Sequence, residues 1–164
     1  MDLRPRAWGV GLRTCAGATA TQKAADWEIS ARATLARALL EQGRAGDALT
    51  AVDAVASLAA RSQSPQVRLA VAEVRARIHA ASGRADDAVA ALDAALAEAN
   101  RLRLLGPQLE IRLARGEIGM AAGQDRSVSE LQSLATYAGT RGFGLVARRA
   151  EAAVRKRRTA GGDA

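Results

Sequence analysis

Leu40-Glu41-Gln42-Gly43-Arg44-Ala45-Gly46-Asp47-Ala48-Leu49 returns forty residues later as Ala80-Ala81-Ser82-Gly83-Arg84-Ala85-Asp86-Asp87-Ala88-Val89. Gly43/Gly83, Arg44/Arg84, Ala45/Ala85, Asp47/Asp87, Ala48/Ala88, Asp53/Asp93 and Ala54/Ala94 coincide, and a further step of forty lands on Gly123. Three glycines at one spacing mark three copies of one unit. Each falls where one apolar periodicity stops and another begins. Leu35 and Leu39 lie one turn apart before Gly43, and Ala48, Val52, Val55 and Ala59 follow it in steps of four, three and four. Both are helical stripes. A glycine between them suits the left-handed residue that ends a helix, because it has no Cβ to clash. The unit is therefore two antiparallel helices and a short turn, each helix with an apolar face that only a neighbouring unit can cover.

Outward from that turn, the first hairpin is expected over Trp27 to Arg61. Ser64 is placed to cap the next helix and Pro65 to open it, where no amide donor is missed. The second hairpin carries Val67, Val71, Val74 and Ile78 before Gly83, then Ala88, Leu92, Ala95, Leu96 and Ala99. Gly106-Pro107 starts the third, with Leu109, Ile111, Leu113, Ile118 and Met120 followed by Val128, Leu131, Leu134, Ala135 and Ala138. From Arg141 to Arg158, Phe143, Ala147, Ala150 and Val154 form one more stripe, and Arg148, Arg149, Glu151 and Arg155 lie off it, as a terminal capping helix requires. The chain is 49% hydrophobic but only 2% aromatic, which favours closely packed helices over a sheet. The expected fold is all-α: three antiparallel helical hairpins of period forty plus a C-terminal capping helix, over residues 27–158. Residues 1–26, with Pro5, Gly9, Gly11 and Gly17, are expected to be largely unstructured, and 159–164 to form a disordered tail.

Glu41-Gln42-Gly43-Arg44-Ala45-Gly46-Asp47-Ala48-Leu49 resembles the turn of the tetratricopeptide repeat, with its glycine and an alanine five positions later. Counted from the turn, that family's small-residue positions fall on Ala36, Ala76 and Gly116 in the first helices and on Ala48, Ala88 and Val128 in the second. The large aromatic expected early in the first helix is instead Arg32, Ala72 or Arg112, and the next leucine position holds Leu35, then Arg75 and Arg115. The period is also longer than the family's usual length of about thirty-four. The resemblance covers residues 27–140, and Arg141 to Ala150 is similar to the closing segment of such regions in large bacterial regulators and protein kinases. It implies a groove lined by the first helices that receives an extended peptide or a partner's helix. The residues carried over to that groove are Arg37, Leu40, Glu41, Glu73, Arg77, Glu110 and Glu117, with Ser30, Ala33, Ala70, Ala80, Ala81, Leu113, Met120 and Ala121 beside them. Arg37 and Arg77 share one register and are suited to clamp a carboxylate, unless Glu73, four residues before Arg77, pairs with it instead.

The net charge of +7 is unevenly spread: residues 27–140 hold 13 basic and 13 acidic side chains. The excess is concentrated in Arg148-Arg149 and in Arg155-Lys156-Arg157-Arg158. The latter run is a candidate phosphate-binding patch, though no aromatic is interleaved for base stacking. A single cysteine, Cys15, excludes an internal disulfide and a cysteine-rich metal site. The single histidine, His79, stands on a helical stripe four residues before Gly83, which reads as a packed or capping residue rather than a general base. Asp86-Asp87 at the turn read as capping residues rather than metal ligands. The apolar run Ala7 to Leu12 is too short for a signal peptide, and no stretch is long enough to span a membrane. Together these point to a cytoplasmic, non-catalytic protein-protein interaction module that needs no cofactor. A nucleic-acid-associated accessory protein is the alternative reading, and self-association through an uncovered end of the stack is a further one.

Overall fold

Helices form wherever the apolar periodicity runs without interruption, and the chain turns where a left-handed or extended residue breaks it. The computed structural model describes residues 8–160. It contains α1 (Trp8–Glu41), α2 (Ala45–Asp53), α3 (Ala56–Arg61), α4 (Pro65–Ala81), α5 (Ala85–Arg101), α6 (Leu105–Ala121), α7 (Arg126–Thr140) and α8 (Gly144–Ala160), and no strand among the described residues. Each helix packs against the next, and α1, α4, α6 and α8 also pack against one another in that order. The result is a helical array whose hairpins are stacked side by side.

Three apolar clusters hold the stack. Ile29, Ala36, Val52, Val55, Val74 and Ile78 join the first hairpin to α4. Leu69, Ala88, Leu92, Ile111 and Ile118 join the second to α6. Leu109, Leu113, Leu131, Leu134, Ala150 and Val154 join the third to α8. Ala36, Ala76 and Gly116 are all buried, as the small-residue register requires. At Gly116 the approach is close: a Cβ there would come within 2.7 Å of the Leu131 side chain.

Gly43, Gly83 and Gly123 have φ of 76°, 81° and 81°. Around each, the next amide donates back across the helix end: Arg44 to the Leu39 carbonyl, Arg84 to His79 and Gln124 to Gly119, all at 2.9 Å. This bond satisfies a carbonyl that the helix end would otherwise orphan. The same closure recurs between hairpins. Leu104 donates to Ala99 at 3.0 Å around Arg103, and Phe143 to Ala138 at 2.9 Å around Gly142. Arg103 therefore takes φ 53° as a residue with a side chain.

Several expectations need correction. Residues 8–26 are helical rather than unstructured, since α1 begins at Trp8. Nothing after Pro5 forbids a helix there; the glycines cost about 1 kcal/mol each against alanine but do not break it. Thr159 and Ala160 belong to α8, and the rest of the expected tail lies outside the described residues, as does 1–7. The second helix of the first hairpin is split at Ala54-Val55, where Val55 donates three residues back to Val52. Val55 is fully buried where the second hairpin has Ala95, and a β-branched side chain is stiffer in that position. Ser127, not Val128, takes the buried place of Ala48 and Ala88, because the chain enters α7 more tightly: Ser127 donates three residues back to Gln124, where Ala48 and Ala88 donate four back to Arg44 and Arg84. Ser64 precedes α4 but its hydroxyl caps no amide; the Ser62 hydroxyl accepts from the Ser64 amide at 3.0 Å and donates to Asp26 at 2.6 Å. Pro65 opens α4 as expected. Asp86 and Asp87 lie inside the first turn of α5, where they complement the helix dipole rather than cap it.

Helix α8 occupies the place of a first helix in a fourth hairpin, packed on both α6 and α7. Its Arg149 stands thirty-nine residues after Glu110, the residue it bonds. In that register Arg148, Ala152 and Arg155, all exposed, stand where Leu109, Leu113 and Gly116 meet α7. The outer face of α8 thus mixes these arginines with Leu145, which is 60% exposed.

The caps yield a paired prediction. Arg103→Gly should raise stability by about 1 kcal/mol, because it removes left-handed strain. Gly83→Ala should lower it by about as much, although an added Cβ there meets no atom within 4 Å. Urea unfolding of the two variants checks this, and a loss at Arg103→Gly would contradict it.

Candidate functional site

The side-by-side first helices carry a chain of charges. Arg37 on α1 donates to Glu73 on α4 at 2.6 Å. Arg77, one turn along α4, donates to the same Glu73 and, at 2.6 Å, to Glu117 on α6. Arg149 on α8 reaches Glu110 on α6 at 3.3 Å. Glu73 is almost fully buried, at 2% exposure. Burial alone would lower the Arg77 pKa, but Glu73 and Glu117 together outweigh it and hold the guanidinium above its ordinary value. The Arg37/Arg77 clamp for a partner's carboxylate is therefore already filled from within, by Glu73. Glu117 stands at the register of Arg37 and Arg77 with the opposite charge, which is why the ladder continues into α6.

A second set of pairs ties α4 to α2, and α6 to α5 and α7. Arg75 lies 3.4 Å from Asp53, and Arg115 lies 2.6 Å from Asp93 and 2.9 Å from Glu130. The hydrogen bond to Asp93 is the leading cause of a raised Arg115 pKa. These arginines fill the leucine position that departs from the repeat pattern. The signal was present in the sequence: Asp53 and Asp93 share a register, and each stands the same twenty-two residues before its arginine. Arg112, at the expected aromatic position, lies over Tyr137 at 5.8 Å, with Arg141 on the same ring at 5.0 Å.

Hollows follow the ladder. Arg37, Glu73 and Glu110 line one of about 290 Å³, with Gln66, Ala70 and Pro107. Leu40, Arg77 and Glu117 line one of about 350 Å³, floored by Ala80, Ala81 and Ala121. Six of the seven carried-over residues thus share one face. Glu41 is exposed at the end of α1 and lines neither hollow, while Ala33 and Leu113 are buried in the core rather than in the groove. A larger hollow, about 560 Å³, continues from Glu117 and Ala121 to Met120, Ala152, Ala153, Arg149, Lys156 and Arg157. Sequence reasoning assigned α8 to capping and to a basic patch and so missed that it forms a groove wall.

The basic run at the end of α8 does not form one patch. Lys156 and Arg157 line the groove, with Arg157 donating to the Met120 carbonyl at 3.1 Å. Arg155 and Arg158 border a separate hollow with Gln132 and Thr136, and Arg155 lies 3.7 Å from Glu151. His79 is half-buried on α4, and its carbonyl takes part in the cap at Gly83. Burial first, then Arg84 and Arg75, lower its pKa. Among the described residues no three His, Cys, Asp or Glu side chains group as a metal site, and no helix is long and apolar enough to cross a membrane. No protein-family model matches this chain, and neither a curated protein nor a solved structure matches it significantly.

Two predictions follow from this geometry. Glu73→Ala should cost about 3 kcal/mol, because it strips a carboxylate from the largely buried Arg77. Arg37→Ala should cost no more than about 1 kcal/mol, because Arg37 is more exposed and Glu73 keeps Arg77. Chemical unfolding separates them, and equal losses would contradict the ladder. For His79, a pKa lowered by folding means stability is complete above the unfolded value of about 6.5 and declines as pH falls through it. His79→Gln should flatten that part of the stability profile, whereas a wild type that gains stability between pH 7 and 5.5 would contradict the sign.

Proposed function

We propose that this protein is a non-catalytic interaction module, a short array similar to the tetratricopeptide repeat, that binds an extended peptide or a partner's helix in the groove along α1, α4, α6 and α8. The observation that carries this reading is the run of adjoining hollows on one face, with Glu117 and Ala121 shared between the two larger ones. A peptide-sized groove with small alanine walls admits a backbone closely. The closed ladder makes the middle of the groove electrically neutral, so a ligand there displaces no unpaired charge. Uncompensated positive charge lies at the α8 end, where Lys156 stands beside an apolar floor of Met120 and Ala152. The favoured ligand therefore carries an apolar side chain with acidic residues next to it.

A second reading, of a nucleic-acid-associated accessory protein, draws on the exposed Arg155, Lys156 and Arg158. The division of the basic run over two faces of α8 weakens it, since a phosphate backbone needs them together.

Selection from a random peptide library followed by calorimetry tests the groove. Peptides that bind the wild type should lose at least about tenfold in affinity to Ala121→Arg, which fills the shared wall at an exposed helix end. The helical content should not change. Peptides that bind both forms equally would overturn the reading, and so would a strongly salt-dependent affinity for single-stranded DNA abolished by Arg155→Ala with Arg158→Ala.

A further inference from the structure

In α4 the residues Val71, Val74 and Ile78 are buried against the hairpin that precedes them, and in α6 Ile111, Ala114 and Ile118 are. The same register on α1 is Ala31, Thr34 and Ala38, and all three are exposed, because no described hairpin precedes α1. Two large apolar side chains flank them: Trp27 is 77% exposed and Leu35 51%. The face that the repeat uses to bind its predecessor is thus complete and uncovered.

We infer that a second copy of the chain covers it, α1 against α1, antiparallel about a two-fold axis beside Ala31. The spacing of the face selects this occupant. Trp27 and Leu35 stand four residues on either side of Ala31, and Ala24 and Ala38 stand seven. A two-fold axis at Ala31 therefore sets Trp27 of each copy against Leu35 of the other and Ala24 against Ala38. The small residue on the axis lets the backbones approach while the large groups meet beside it. Charge agrees with the arrangement. The flanking Glu28 and Arg32 pair with each other at 3.2 Å, so the face meets its copy without net repulsion. The other end of the array presents Arg148 and Arg155 beside Leu145, which is 60% exposed, so its charges do not repeat the apolar spacing of this face. A contact across a two-fold axis is isologous and closes as a pair, whereas α1 stacked on α8 would grow into a filament, so masses beyond the dimer would overturn the inference. This inference does not rest on the groove reading.

Sedimentation of the full chain over a wide concentration range tests it. The wild type should pass from monomer to twice the monomer mass. Ala31→Glu and Ala31→Arg each place a charge against its own copy, and each alone should weaken the association at least about 100-fold. An equimolar mixture of the two should associate again, because opposite charges then meet on the axis. Position 31 is exposed, so circular dichroism should show unchanged helix content. Should either variant lose helix, Trp27→Gln replaces it, with an expected weakening of at least about tenfold. A wild type that stays monomeric at every concentration overturns the inference. So does a dimer that survives Ala31→Glu, and so does a mixture of the two charged variants that fails to associate.

Discussion

Close approach of helices through small side chains is the constraint on which the rest of this structure depends. With 2% aromatic residues the chain cannot fill wide gaps between helices, so it must bring the helices together. Ala36, Ala76 and Gly116 do this on the first helices; Ala48, Ala88 and Ser127 do it on the second. A wider residue at any of them would push a hairpin apart, and the clash awaiting a Cβ at Gly116 shows how little room remains. The left-handed turn caps serve the same end, since they reverse the chain within a few residues and keep each pair of helices in contact.

Given that packing, polar groups on the first helices are forced into one another's reach. Arginine and glutamate at repeat-related positions then either repel or pair, and here they pair across helix boundaries. Arg37, Glu73, Arg77 and Glu117 bind three helices that the apolar clusters join on their inner side. Asp53–Arg75 and Asp93–Arg115 do the same at the seam with the second helices. Removing the middle of such a chain leaves buried charge behind, so it fixes the register of the stack more than it adds to its stability. The groove is a by-product of the geometry, with a neutral middle and a basic end.

The parts of this architecture that repeat were readable from residues alone. Gly43, Gly83 and Gly123 gave the turns, and the stripes gave the buried faces of the helices after α1; in α1 Leu35 is 51% exposed, and Ile29, Ala33 and Ala36 are buried instead. What was not readable depends on one-residue events or on distance in the chain. The tighter entry into α7 that puts Ser127 in place of Val128 is invisible to a fixed count of forty. The early start of α1 was hidden because Gly9, Gly11 and Gly17 weaken a helix without ending it. The Arg37–Glu73 pair joins residues thirty-six apart, and only the packed register of α1 on α4 brings them together. Arg155 to Arg158 looked like one basic patch in the sequence, but successive residues on a helix point to different faces.

The central claim is that one hairpin unit, forty residues long, was copied and stacked, so that a unit can be removed whole. Deleting residues 44–83 joins Gly43 to Arg84 and should leave a shorter array that is fully helical and unfolds in one cooperative transition by circular dichroism. Deleting residues 54–83, which breaks the register while removing less of the chain, should abolish that transition. A 44–83 deletion that loses cooperative unfolding, or a 54–83 deletion that keeps it, would contradict the account.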